Sequence, residues 1–280
     1  MFIGVSSRLK CGFFLFSLTM IFYFSGTGNS AWVARQLASS LHEPLCEVVS
    51  ALTDGAASLS IDAGTSVGFV FPVYSWGPPL PVLRLLASLR LSAAPSYLYF
   101  ICTCGDDTGK TARVFSRAAR RRGWQCKAGF SIILPNTYVC LPGFDVDGQE
   151  LVRTKLAKAE SRLSEVIAAV RARQEGFDCR EGSLPWVKTY LIRPLFHRYL
   201  TSPRRFHVTE ACVGCDQCAR HCPFQNIRVE GRPRWGDRCT LCLSCYHHCP
   251  RKAIRYSVFT EGKGQYTFPR RSSPSLSSNG

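Results

Sequence analysis

Cys212, Cys215, Cys218 and Cys222, followed by Pro223, are spaced C-x2-C-x2-C-x3-C-P, and 27 residues later Cys239, Cys242, Cys245 and Cys249, followed by Pro250, repeat the pattern. Thiolate is the soft ligand that iron–sulfur chemistry uses. A loop with three cysteines at three-residue steps can wrap three corners of one cubane while proline holds the fourth cysteine apart. The repeat extends beyond the ligands, since His221 maps to His248, Ile227 to Ile254 and Arg228 to Arg255. Half-units that cannot bury a face alone become stable by stacking. Other uses of cysteine fit less well. A disulfide framework belongs to secreted chains, and zinc takes one separated CxxC pair plus another.

This double run resembles the signature of bacterial-type ferredoxins with two [4Fe–4S] clusters. The resemblance implies crossed ligation. Cys212, Cys215, Cys218 and Cys249 then hold one cluster; Cys239, Cys242, Cys245 and Cys222 hold the other. Val208, Ile227, Val229, Ile254 and Tyr256 are the expected small core, one that loss of metal should unfold.

A second constellation lies near the other end. An apolar strand over 21–24 precedes Ser25-Gly26-Thr27-Gly28-Asn29-Ser30, and 31–40 has helical composition. Strand, hydroxyl-rich loop and helix N-terminus together make an anion site, because backbone N–H groups and the helix dipole favour a phosphate. Further strands are expected over 65–71, 96–102 and 125–134, with helices over 80–89, 110–122 and 151–173. The alternation predicts a doubly wound parallel sheet with ligands beyond the strand carboxyl ends.

Ser-x-Thr-Gly-Asn-Ser after the first strand resembles the phosphate loop of flavodoxins. With the tandem cluster motif, the chain from Met20 to about Ser257 resembles the fused flavodoxin–ferredoxin proteins of anaerobes. The fold implied is an α/β flavodoxin-like sheet plus a small α+β ferredoxin domain, with FMN and two [4Fe–4S] clusters as cofactors. By that resemblance Ser25, Gly26, Thr27, Gly28, Asn29 and Ser30 hold the phosphate. Tyr74, Ser75, Trp76 and Gly77 form one flavin-ring loop; Thr103, Cys104, Gly105 and Asp106 form the other. Cys104–Thr111 also ends like a Walker A loop, but Cys104 replaces its first glycine and no Mg²⁺ carboxylate is evident.

The chain has 280 residues, enough for two domains and a linker, and its 46% hydrophobic and 19% charged content is that of a globular protein. The net charge of +16 suits an acidic redox donor or acceptor; no nucleic-acid motif accompanies it. Cluster chemistry implies the cytoplasm. Arg8, Lys10 and the apolar run 12–24 imitate a signal peptide, yet Met20 directly precedes the strand, so translation is expected to begin there. The expected division is an extension over 1–19, a flavodoxin-like domain over 20–176, a linker over 177–205, a ferredoxin domain over 206–258 and a disordered tail over 259–280. The basic, aromatic segment 184–200, interrupted at Pro194, is read as packing one domain on the other rather than binding a membrane. The combination implies an electron-transfer flavo-iron–sulfur protein. A flavin-dependent reductase of a small molecule and a redox sensor or scaffold are the alternatives.

Overall fold

The computed structural model describes residues 19–53, 58–59, 61–62 and 64–269. In the first half, β1 (Thr19–Tyr23), β2 (Leu45–Glu47), β3 (Ser66–Pro72), β4 (Tyr97–Cys104), β5 (Cys126–Ile133) and β6 (Gly176–Asp178) form one parallel sheet. Their order is β2-β1-β3-β4-β5-β6. The first five strands follow the 2-1-3-4-5 order of flavodoxin-like folds.

The central strands β3 and β4 are buried almost throughout, as parallel strands covered on both faces must be. Their side chains alternate. Phe69, Phe71, Phe100 and Cys102 pack towards α2 (Leu80–Ser88) and α3 (Thr111–Arg120). Val70, Tyr99 and Ile101 pack towards α1 (Asn29–Leu41) and α4 (Gln149–Arg171). Helix α4 buries Ala159, Leu163, Val166 and Val170, a spacing that lays one apolar stripe along the sheet.

Two strands were not expected. β2 has three residues, and β6 is exposed along its length, so neither carries an apolar period. Backbone pairing to β5 holds β6, helped by Arg162, whose Nη2 donates to Asp178 Oδ2 at 2.6 Å. The sheet therefore runs to Asp178, past the expected boundary at 176.

A π-helical turn over Val187–Ile192 continues directly into α5 (Arg193–Tyr199). Pro194 does not interrupt it; proline in a first turn lacks only an N–H that the preceding turn leaves dispensable. The cysteine half contains β7 (Phe206–Val208), α6 (Gln217–Arg220), β8 (Ile227–Glu230), β9 (Arg232–Trp235), α7 (Ser244–His247) and β10 (Ile254–Tyr256). β7 pairs antiparallel with β10, and β8 with β9.

The tail is a correction. Residues 259–269 are packed on the protein, because partners distant in sequence hold them. Phe268 N–H donates to Thr27 O at 2.8 Å, and its ring stacks on Trp32 at 5.0 Å. Gln265 Nε2 donates to Cys249 O at 3.1 Å. Residues 270–280 and 1–18 lie outside the described residues; Thr19 already pairs with Ser66 in the sheet.

Candidate cofactor sites

Three loops leave the carboxyl ends of β1, β3 and β4 and enclose a cavity. Its walls include Ser25, Gly26, Thr27, Asn29, Ser30, Tyr74, Ser75, Thr103, Cys104 and Gly105. Gly28 caps α1 with φ 103, a left-handed conformation natural only to glycine. The first turn of the helix then leaves backbone N–H groups unpaired at the loop.

Several side chains expected at a phosphate are committed to scaffolding. Asn29 Nδ2 donates to Pro135 O at 2.9 Å, while its Oδ1 accepts from Tyr266 at 3.3 Å. The Ser30 and Thr103 hydroxyls bond each other at 2.8 Å, and Ser25 Oγ accepts from Gly28 N–H at 3.2 Å. Thr27 lines the cavity with its hydroxyl uncommitted.

The ring-loop expectations divide. Tyr74 and Ser75 face the cavity, whereas Trp76 and Gly77 do not. Ser75 and Trp76 adopt φ 49 and 57, strained values for non-glycine residues. Trp76 holds this bend from behind: its carbonyl accepts from Thr189 Oγ1 at 3.0 Å, and Lys188 Nζ lies 5.6 Å from its ring centroid. Asp106 points away from the cavity, its side chain 81% exposed and 4.0 Å from Lys155.

The remaining walls come from segments that sequence reasoning did not assign to this cavity. They are Asn136–Tyr138 after β5, Phe196 and His197 on α5, and Thr240–Leu243 within the second cysteine run. Neither loop length nor composition marks them, since each arrives through tertiary packing. Among the described residues, three polar atoms on these walls are buried without a partner, Ser75 Oγ, Tyr138 Oη and His197 Nε2, while the Thr240 hydroxyl is taken by the Cys242 thiol. Such groups cost about 1–3 kcal/mol each when unsatisfied, so the cavity is built for a ligand with polar edges. Burial holds Tyr138 above the ordinary phenol range, keeping it a donor. Burial, with the Arg193 charge, lowers His197 and favours neutral imidazole. Aromatic and aliphatic walls from Tyr74, Phe196 and Leu241, edged by these polar atoms, fit a flavin ring.

The cysteines gather in two sets. Cys212, Cys215, Cys218 and Cys249 surround one cavity with Val229 and Pro233. Cys239 and Cys222 act electrostatically on Cys242, and all three act on Cys245. The structure thus brings each run's fourth cysteine to the other run's three. Burial pushes Cys218 up to about 11 and Cys242 up to about 12, so iron held there would have to supply the charge that makes them thiolates. Among the described residues no three His, Cys, Asp or Glu side chains converge on a single-ion site; the first cysteine set surrounds a cavity, as a cubane requires. The repeat also appears in three dimensions. Asn226 N–H donates to Cys222 Sγ and Ala253 N–H to Cys249 Sγ, both at 3.3 Å, and the rings of His221 and His248 stack at 3.9 Å.

The two sets differ in position. A Cβ added to Gly26 would fall 2.4 Å from Cys242 O, so the second run presses on the Ser25–Ser30 loop. Tyr74 is raised by burial and then by the charges of Cys242 and Cys239. Phe24 meets Phe224 with centroids 6.2 Å apart. The first set faces outward, with Cys215 exposed.

Residues 206–228, which contain the first run, match the family model described as "4Fe-4S binding domain". The chain carries a 4Fe-4S binding domain. No curated protein sequence matches the chain. Two solved structures are similar. The Trp repressor binding protein of Bacillus subtilis has 12% identity and a TM-score of 0.34, covering 54% of this chain and 96% of its own. A protein from Bacteroides uniformis described as a flavoprotein has 13% identity and a TM-score of 0.31, covering 50% of this chain and 97% of its own.

Proposed function

We propose that this is an electron-transfer flavo-iron–sulfur protein that passes electrons between two [4Fe–4S] clusters and FMN. One observation carries the reading: Thr240–Leu243, within the second cysteine run, form part of the same cavity as the three loops of the sheet. FMN, when bound, supplies one- and two-electron chemistry, whereas a cluster carries single electrons.

The chain's own residues divide the work. The first turn of α1 and the Thr27 hydroxyl bind the phosphate, and Ser75, Tyr138 and His197 orient the ring. Gly26 lets the second run approach the phosphate loop without a side chain between them. The outward first set, with its exposed Cys215, receives electrons from a protein donor or passes them to an acceptor. Backbone N–H groups on Cys222, Cys239 and Cys249 sulfurs stabilise the more negative reduced cluster and so help set its potential.

Anaerobic rapid mixing with a low-potential one-electron donor tests the reading. Cluster absorbance should bleach first, then flavin absorbance, with a second phase whose rate is independent of protein concentration. Equally fast flavin bleaching in cluster-free protein would reject the wire.

A second reading, reduction of a small molecule in the same cavity, rests on His197 Nε2 and Tyr138 Oη, unpartnered groups suited to holding a proton near a substrate. Steady turnover of a small oxidant that collapses in His197→Gln, with flavin content intact, would favour it.

A further inference from the structure

The segment from Leu184 to Tyr199 forms an outer wall of the flavin cavity. Phe196 and His197 line the cavity from inside. On the outside, Leu184 is 69% exposed, Leu191 61%, Leu195 52% and Tyr199 60%. Leu191, Leu195 and Tyr199 recur at steps of four from the π-helical turn into α5, and Leu184 lies just before that turn. No residue of α5 is buried, and Thr189 alone is buried in the π-helical turn. The segment packs between the two halves as expected, through Thr189 and Arg193 on one and Phe196 on the other, while its opposite side is turned to solvent. An apolar run of this length on a folded surface marks an interaction site.

Its surroundings have one sign of charge. Residues 184–205 contain Lys188, Arg193, Arg198, Arg204 and Arg205 and no carboxylate, and residues 110–122 contain Lys110 and five arginines and no carboxylate. The two stretches meet at Trp186, whose ring lies 4.6 Å beneath the Arg113 guanidinium and 5.1 Å from the Tyr190 ring. Two acids at this junction are already used: Asp107 pairs with Lys188 at 2.6 Å, and Glu181 pairs with Lys110. Arg113, Arg117, Arg120, Arg198 and Arg204 are exposed, and among the described residues none of them has an ion-pair partner.

We propose that this face rests on a membrane surface containing anionic phospholipid. Leu184, Leu191, Leu195 and Tyr199 enter the headgroup–acyl boundary, and the arginines meet lipid phosphates. An apolar stripe beside cations, with no free carboxylate, is the pattern of an interfacial helix. The exposed leucines take the contact beyond charge, which suits a surface with phosphates at its edge and hydrocarbon beneath. Among the described residues no helix is long and apolar enough to cross a membrane, so the contact is peripheral. It would also set the outer wall of the flavin cavity against the lipid surface, in contrast to the sequence-based expectation of no membrane contact.

Co-sedimentation of the full cofactor-loaded chain with vesicles tests this, using phosphatidylcholine mixed with phosphatidylglycerol and phosphatidylcholine alone. The wild type should pellet with the mixed vesicles, bind the neutral ones far more weakly and be released by salt. Leu191→Asp/Leu195→Asp should lower the affinity at least about tenfold with flavin and cluster absorbance unchanged, and Arg117→Glu/Arg120→Glu should lower it on mixed vesicles only. Wild type left in the supernatant would overturn the proposal, as would a double-leucine variant that binds like wild type, which would reduce the contact to charge adhesion. Loss of binding to a purified acidic ferredoxin in the leucine variant, with no vesicle binding by either protein, would assign the face to a protein partner instead.

Discussion

Phe71, Phe100 and Phe115 hold the middle of the sheet half through ring contacts of 5.0–5.6 Å. The buried core of the cysteine half places Cys218, Cys245 and Cys249 among Phe206, Ile227, Leu241, Tyr246, Ile254 and Tyr256. In the first half the hydrophobic effect acts on residues that need nothing else. In the second, cysteines read as cluster ligands occupy core positions, and the unit is small enough that bound clusters are expected to add to its stability. Even its core borrows Val139 and Cys140 from the loop after β5. Stability in one half is expected to be intrinsic and in the other to depend on cofactor and on contact with the first.

Removing the clusters should break this comparison most sharply. Chelation should abolish amide protection across 206–258 while β3 and β4 remain protected, as read by hydrogen exchange. Equal protection in both halves after iron loss would show that the cysteine half has an adequate core of its own. Intact protein should contain about eight irons and eight labile sulfides, the sum for two cubanes.

Next in size is the converse experiment. Phe100→Ala should cost the sheet half about 3–5 kcal/mol in urea unfolding and leave cluster absorbance unchanged. A smaller effect should come at the seam. Gly26→Ala places a Cβ 2.4 Å from Cys242 O, and the forced shift should cost about 1–3 kcal/mol and perturb the second cluster's electron paramagnetic resonance signal more than the first's. In the same spectra, Cys222→Ser should damage the second run's cluster and Cys249→Ser the first's. Loss of each variant's own cluster would contradict the crossed grouping.

Thr27→Val should weaken FMN by roughly tenfold, as expected for one donor to a charged group, without altering iron content. The smallest effect concerns acid. His197 has a depressed pKa in the folded chain, so the unfolded chain binds the proton more readily. The neutral ring's contribution is complete above the unfolded value of about 6.5 and is lost as pH falls through the folded value. His197→Gln should flatten that part of the stability profile, measured by denaturant titration between neutral and mildly acidic pH.

Much of this was legible in the chain itself. The first cysteine run was legible as a 4Fe-4S binding segment because thiolate spacing must match the dimensions of a cubane. The apolar runs of β3 and β4 specify buried parallel strands because both of their faces must leave water. The Ser25–Ser30 loop was legible because strand, glycine and helix start are local neighbours. Trp76 and Asp106 were not, since an aromatic and an acid in a loop carry no sign of which side they face. Trp76 was drawn behind its loop by Thr189, more than a hundred positions away.

Sequence by itself determined the elements whose cause is local: the periods of strand and helix, the left-handed glycine at the head of α1 and the thiolate runs. Tertiary structure alone decided what depends on distant segments meeting. It placed His197, Tyr138 and Thr240 on one cavity, drew residues 259–269 from an expected tail onto the loop after β1 and turned the exposed side chains of the 184–199 segment outward. Hydrophobic pattern states that a side chain prefers to leave water, but it names no partner. The partner is selected by packing of the whole chain, in which each contact must offset the entropy of ordering both segments.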